Sequence, residues 1–318
     1  MLIYYYAKVA KVTKIKSRKE ETNMKKKTIA IIMAVLMVVL CFGLAACGDK
    51  NDGNDVLQDK GPTSNVEATD GTEENNENDE PKAVEDLAAI KAAGKMVIGI
   101  TIYEPMNYYA DEAKTKLTGF DTEFAEAVCE KLGVEPEFFI IEWTRKFQEL
   151  DAKTIDCVWN GMTITDEALA NSSVSDPYIK NAQVLVMKKD KIADFTTADS
   201  IKDLTFAVEA GSAGEQVLKD LEIKNVTGVL DQSKALLEVS SGVADACVID
   251  ITMAKSMTGE GTSYANLAYG LELSTEEYGI SCREGSDLTA EINKIMAEMK
   301  ADGSLQAIAD KYSLNLAD

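Results

Sequence analysis

The chain has 318 residues, with 54 Asp and Glu against 33 Lys and Arg, and a net charge of −21. That acidity excludes nucleic acid as a partner. It contains no histidine, which excludes Ser-His and Cys-His nucleophiles and His-based metal sites.

At the N-terminus, Lys25, Lys26 and Lys27 precede an apolar run from Ile29 to Phe42, then Gly43-Leu44-Ala45-Ala46-Cys47-Gly48. A charged start, an apolar middle and small residues before a cut site are the parts of a secretory signal. The run is shorter than the roughly 20 residues that span a bilayer, which argues against a plain transmembrane anchor. Lys19-Glu20-Glu21 can be written wholly in purine codons, so the stretch before Met24 reads as a translated ribosome-binding site, with Met24 the expected start. The first 27 residues hold nine Lys or Arg against two Glu, so the chain from Cys47 onward carries about −28.

From Gly48 to Lys82 the chain is Asn, Asp, Glu, Gly, Thr and Ser, with eleven acidic residues, three lysines and almost nothing to bury. Such a segment cannot offset its ordering entropy and is expected to be a solvated, self-repelling tether. The remainder, about 83–318, is long enough for two small α/β domains.

Helix and strand signals alternate from Val84. A helix over 84–93 stops at Gly94, and Met96-Val97-Ile98-Gly99-Ile100 suits a buried parallel strand. Gly119-Phe120-Asp121 opens a helix with Phe124, Val128 and Leu132 on one face, Asp121 as N-cap and Gly133 as C-cap. Strand 137–141, a helix near 145–152 and strand 155–159 follow. Further strands fall near 183–187, 205–209, 225–229 and 245–249, with helices from about 213 and over 232–241. A strand through Tyr278-Gly279-Ile280-Ser281 precedes helices near 287–301 and 304–312.

Ile155-Asp156-Cys157-Val158-Trp159-Asn160 and Ala244-Asp245-Ala246-Cys247-Val248-Ile249-Asp250 echo each other. Each is an apolar strand led by Asp and ended by a hydrogen-bonding side chain. In open α/β sheets ligands lie beyond the carboxyl ends of strands, which places Asn160 and Asp250 at a shared ligand. Asp250 could equally be the N-cap of a following helix. The loop Ala210-Gly211-Ser212-Ala213-Gly214 lies between a strand and a helix start, where N–H groups and the helix dipole favour an anion. Cys129, Cys157, Cys247 and Cys282 lack metal-ligand spacing and read as small buried hydrophobes, with a Cys157–Cys282 disulfide left open.

Cys47 after Leu-Ala-Ala resembles a bacterial lipobox, whose cysteine is lipidated and becomes the mature N-terminus. Residues 1–46 are then a cleaved signal region and 47–85 the tether. Gly119-Phe120-Asp121-Thr122-Glu123-Phe124 resembles the glycine, aromatic, acidic signature of the extracellular solute-binding proteins of amino-acid ABC importers, family 3. Tyr103-Glu104-Pro105, Asp156-Cys157-Val158, Gly161-Met162-Thr163-Ile164-Thr165-Asp166-Glu167, Ser175-Asp176-Pro177-Tyr178, Glu277-Tyr278-Gly279-Ile280 and Ala301-Asp302-Gly303-Ser304 support it in order.

The resemblance covers about 86–315 and implies an α/β, two-lobed periplasmic-binding-protein type II fold. Lobe one would be 86–181 plus 275–318 and lobe two 182–274, with crossovers near 179–183 and 273–277 acting as a hinge. It implies a monomer without cofactor or catalysis that captures a small polar solute, an amino acid or a derivative. That monomer would be held outside the cell membrane by its lipid and would deliver the solute to ABC permease subunits.

Carried over by position, Tyr103 and Trp143 would sandwich the ligand. Asn160, Gly161 and Thr163 would hydrogen-bond it, chiefly through backbone groups. Ser212 and Ala213 would present N–H groups, and Asp250 would pair with an ammonium. Two positions depart from the family's pattern: Ala168 stands where an arginine grips the ligand carboxylate, and Glu209 where a basic residue is common. Either the ligand lacks a free α-carboxylate, or another group such as Arg145 supplies the contact, or ordinary ligand binding is lost. Two other readings stay open: a ligand sensor signalling through a partner, and a cyclohexadienyl-dehydratase-like enzyme using Glu104, Glu209 or Asp250.

Overall fold

The structure, a computed structural model, describes residues 85–318. The signal region, Cys47 and the tether up to residue 84 lie outside the described residues. Helix α1 (Asp86–Ala93) leads into β1 (Lys95–Ile100), a short hairpin of β2 (Tyr108–Tyr109) and β3 (Leu117–Thr118), α2 (Phe120–Leu132) and β4 (Glu135–Ile140). One turn at Trp143–Arg145 runs into α3 (Lys146–Asp151), followed by β5 (Cys157–Thr163), α4 (Asp166–Asn171), β6 (Ser173–Val174) and β7 (Ile179–Lys188). Then come β8 (Phe206–Glu209), α5 (Ala213–Asp220), β9 (Val226–Val229), α6 (Gln232–Ser241), β10 (Ala246–Asp250) and α7 (Ile251–Met257). The long β11 (Leu267–Cys282), α8 (Leu288–Asp302) and α9 (Ser304–Lys311) close the chain.

The main sheet runs β4-β1-β5-β11-β7-β10-β8-β9, with β6 added on β11. Its two ends repeat one plan. β4, β1 and β5 are parallel and meet β11 antiparallel; β9, β8 and β10 are parallel and meet β7 antiparallel. β7 and β11 join the two ends as an antiparallel ladder, from Ile179 opposite Tyr278 to Lys188 opposite Leu267. The stretches near 179–183 and 273–277 face each other within it. Alternate side chains of each strand pack on opposite faces: Val158 in one half and Leu185 and Val248 in the other lie in two separate clusters, while Cys157, Trp159, Val184, Val186, Cys247 and Ile249 join the main core.

The start of α2 shows how local chemistry fixes the first half. Gly119 has φ +125°, and a Cβ there would lie 2.1 Å from the Met106 carbonyl oxygen, so no other residue fits. The Phe120 and Asp121 N–H groups donate to the carbonyls of Pro105 and Met106 at 2.9 and 3.0 Å. Phe124 packs edge-on against Trp159 with ring centroids 4.9 Å apart. Asp121 is not the N-cap expected from its position: Gly119 is, with no side-chain cap. Asp121 lies inside the first turn, fully buried, where one carboxylate oxygen accepts the Gly161 N–H at 2.6 Å. Burial pushes this carboxyl up to about 7, against the pull of that N–H.

Just beyond β11, buried Arg283 gathers the first half. Its guanidinium donates to Asp86 at 3.0 Å, to Asp156 at 3.1 Å, and to the carbonyls of Ile155 and Leu150 at 2.6 and 3.2 Å. Among the described residues Cys129, Cys157, Cys247 and Cys282 are buried free thiols, and Cys157 stands opposite Cys282 in the β5–β11 register.

Candidate functional site

The carboxyl ends of β5, β8 and β10, with the loop after β1, converge on a cleft of about 640 Å³. This is where open parallel sheets leave N–H groups and side chains unused by the ladder. Tyr103, Trp143, Asn160, Gly161, Thr163, Ser212, Ala213 and Asp250 all line it.

Several of their polar groups are already engaged within the protein. The Asn160 side chain is spent internally: it accepts from the Thr101 N–H at 2.8 Å and from Asn107 at 3.0 Å, and donates to the Thr101 hydroxyl at 2.6 Å. The Gly161 N–H is committed to Asp121, and the Thr163 hydroxyl donates to Glu276 at 2.9 Å. The Ser212 N–H donates to the Glu209 carbonyl at 3.3 Å, while the Ser212 hydroxyl caps α5 by accepting the Glu215 N–H at 3.1 Å. The Gly211 N–H already holds the Glu215 carboxylate at 3.0 Å.

Tyr103 is 3% exposed, and its ring lies so close to Gly161 that a Cβ there would meet Cε1 at 2.6 Å. Its hydroxyl bonds the Tyr278 hydroxyl at 2.5 Å and the Thr252 hydroxyl. Trp143 belongs to the apolar cluster of Ile141 and Leu150 while presenting its ring to the cleft, with the Lys146 ammonium 4.8 Å from its centroid. Arg145 is exposed and is not among the residues lining the cleft; the adjacent Lys146 is. Ala168 lines the wall where an arginine was expected.

Asp250 holds the N-cap position of α7, but its side chain makes no capping hydrogen bond there. One of its oxygens accepts from Asn181 at 2.5 Å, Gln183 at 2.9 Å and Tyr278 at 2.8 Å, and the other from Gln232. The same two amides reach Glu276, Asn181 at 2.6 Å and Gln183 at 2.8 Å. Two carboxyls therefore share one pair of donors on the β7–β11 ladder. Burial raises Asp250, opposed by its donors, and burial with the Asp250 charge pushes Glu276 up to about 8. Glu209, at the end of β8 and 5% exposed, has one oxygen with no hydrogen-bond partner among the described residues. Burial first, then the Asp250 and Asp231 charges, push it up to about 8. Lys146 is lowered by burial.

Sequence reasoning missed Asn181, Gln183, Gln232 and Glu276. Asn181 and Gln183 had a signal: two amides at a spacing of two, on one face of β7, just before its apolar run Val184–Met187. Nothing in Glu276-Glu277 distinguishes the member that reaches the Asn181 and Gln183 amides.

Comparison with known proteins agrees with this architecture. The bacterial extracellular solute-binding proteins, family 3, match over residues 96–315. The L-cystine-binding protein TcyJ of Escherichia coli (strain K12) is 31% identical over 233 residues, covering 71% of this chain and 85% of that protein. The holo structure of ArgBP from T. maritima aligns with a TM-score of 0.62 at 30% identity, covering 67% of this chain and 93% of that one. The ancestral amino acid-binding protein AncCDT-1, a precursor of cyclohexadienyl dehydratase, aligns at 0.65 with 28% identity, covering 72% and 99%. With a type II periplasmic-binding α/β fold and a family match over most of its length, the chain belongs to the bacterial extracellular solute-binding proteins, family 3.

Proposed function

We propose that this chain is a lipid-anchored extracellular binding protein that captures a small amine-bearing solute of the amino-acid class and delivers it to an ABC importer. The observation that carries the reading is the cleft itself, lined by strand ends from both halves of the sheet and holding Asp250 in place with four donors. The L-cystine, arginine and glutamine binders among its relatives support the same class. The lobes are 86–181 plus 275–318, and 182–274. The β7–β11 ladder between them is a two-segment hinge, so a ligand touching both lobes favours the closed state. Cys47 carries the lipid, and the acidic tether holds the domain away from the surface.

The test is a thermal-shift screen of the full chain, purified in detergent, against L-amino acids and their amines. A ligand at a hundredfold excess over its Kd adds about 2.7 kcal/mol of stability. A clear rise in melting temperature with one compound, lost in Asp250→Ala, is expected; no rise across the panel sinks the reading. For the anchor, Cys47→Ser should move the protein from the membrane fraction to the medium. Retention at the membrane would refute the lipid assignment.

A further inference from the structure

Six carboxylate residues line the cleft, Asp166, Glu167, Glu209, Glu215, Asp220 and Asp250, against two lysines. Glu276 stands directly behind Asp250 on shared amide donors. Neither lysine is uncommitted. Lys219 is paired with Glu215 at 2.9 Å. Lys146 lies over the Trp143 ring and near the Gly211 carbonyl, within the fields of Glu167 and Glu209.

An incoming carboxylate would find little to hold it. Of the loop donors before α5, the Gly211 N–H is occupied by the protein's own Glu215 carboxylate and the Ser212 N–H by a carbonyl. The wall at the first turn of α4 offers the methyl group of Ala168. By contrast, the buried Glu209 oxygen, which has no partner among the described residues, is an acceptor waiting for a donor. Burying such an oxygen unpaired is costly, and a bound N–H group removes that cost.

Resting on the binding-protein reading above, we infer that the cleft takes an organic dication without a free carboxylate, of the diamine or guanidinoalkylamine class. One cationic end lies at Asp250, backed by Glu276, and the other satisfies Glu209. Glu209 and Asp250 end neighbouring parallel strands, β8 and β10, so the two acceptors belong to one site. The raised carboxyls fit this reading, because a site of buried acids without a counter-cation holds protons until a cation displaces them.

The test is calorimetric titration of the full chain in detergent with matched pairs: agmatine against L-arginine, and 1,4-diaminobutane against L-ornithine. Each amine is expected to bind at least about tenfold more tightly than its carboxylated parent. Glu209→Gln should weaken the amines about tenfold or more while keeping a cooperative melt. Ala168→Arg, which puts a cation on the wall, should narrow or reverse the preference. L-arginine or L-ornithine binding more tightly than its amine would overturn the inference and leave the binding-protein reading standing. Tight binding of L-glutamine or L-cystine with neither amine bound would do the same. No binding by any compound would overturn both.

Discussion

The molecule buries two groups of carboxylates and treats them in opposite ways. Behind the sheet's first half, Asp86 and Asp156 converge on Arg283, which also satisfies two carbonyls. At the cleft, Glu209, Asp250 and Glu276 converge with neutral amides and hydroxyls but, among the described residues, no paired cation. In the first group hydrogen bonds and charge from Arg283 overcome burial and hold Asp86 below its usual value. In the second, burial dominates and Glu209 and Glu276 rise to about 8. A structural ion cluster supplies its own counter-charge; in the proposed site that place is left to the ligand.

Removing the cation should break the contrast most severely. Arg283→Met leaves Asp86 and Asp156 buried without compensation and is expected to cost about 3–5 kcal/mol in urea unfolding. Replacing all three charged residues by apolar ones should cost less than the single change. A single-variant loss below about 1 kcal/mol would mean that the cluster is solvated and the comparison false.

The cleft should respond in the other direction. A carboxyl raised from 4.5 to about 8 keeps a proton in the folded state that the unfolded chain has lost, so stability falls as pH rises between those values. Glu209→Gln removes that loss. The ligand-free variant should match the parent near about pH 4 and exceed it by on the order of 1–3 kcal/mol near about pH 9. Asp86 has the opposite sign: its contribution is present above its ordinary value and is lost as pH falls through the lowered one. The groups facing Glu209 are Asp250, Asp231, Gln232 and Lys146, so Asp250→Asn should itself lower the Glu209 titration point.

How far these regions could be read from the sequence follows from the range of the interactions. Gly119-Phe120-Asp121 was visible because a short stretch carries its own constraints, but the role of Asp121 was not, since its partner is the Gly161 N–H forty residues away. The parallel strands stood out as apolar runs; β11 was seen only from Tyr278, because Gly270 and the polar run Ser274–Glu277 interrupt its apolar pattern. The hairpin of β2 and β3 and the short helices α4 and α7 left too few periodic residues to signal. All eight nominated residues reach the cleft, yet the Asn160 side-chain amide and the Gly161 and Ser212 N–H groups donate within the fold. Arg283 passed unnoticed because a lone arginine after a strand gives no hint of aspartates at 86 and 156.

The repeated Asp-led strands sharpen the comparison at its finest scale. Asp156 accepts the Val97 N–H at 2.8 Å at the head of β1, and Asp245 accepts the Thr205 N–H and hydroxyl at 3.0 and 2.7 Å at the head of β8. The device is the same in both halves: a carboxylate at the start of one parallel strand pins the start of its neighbour. Only Asp156 also meets Arg283, and Asp245 is exposed. Asp245→Ala should therefore cost about 1 kcal/mol, the worth of one hydrogen-bonded site at the surface. Asp156→Ala should cost about 2–3 kcal/mol, because it also strips a buried guanidinium of one partner. Asn in place of Asp separates the two contributions, since its carbonyl still accepts the strand N–H but carries no charge. Asp245→Asn should recover most of its loss and Asp156→Asn only part, and equal recovery at both positions would show that the Arg283 contact adds nothing beyond the hydrogen bond.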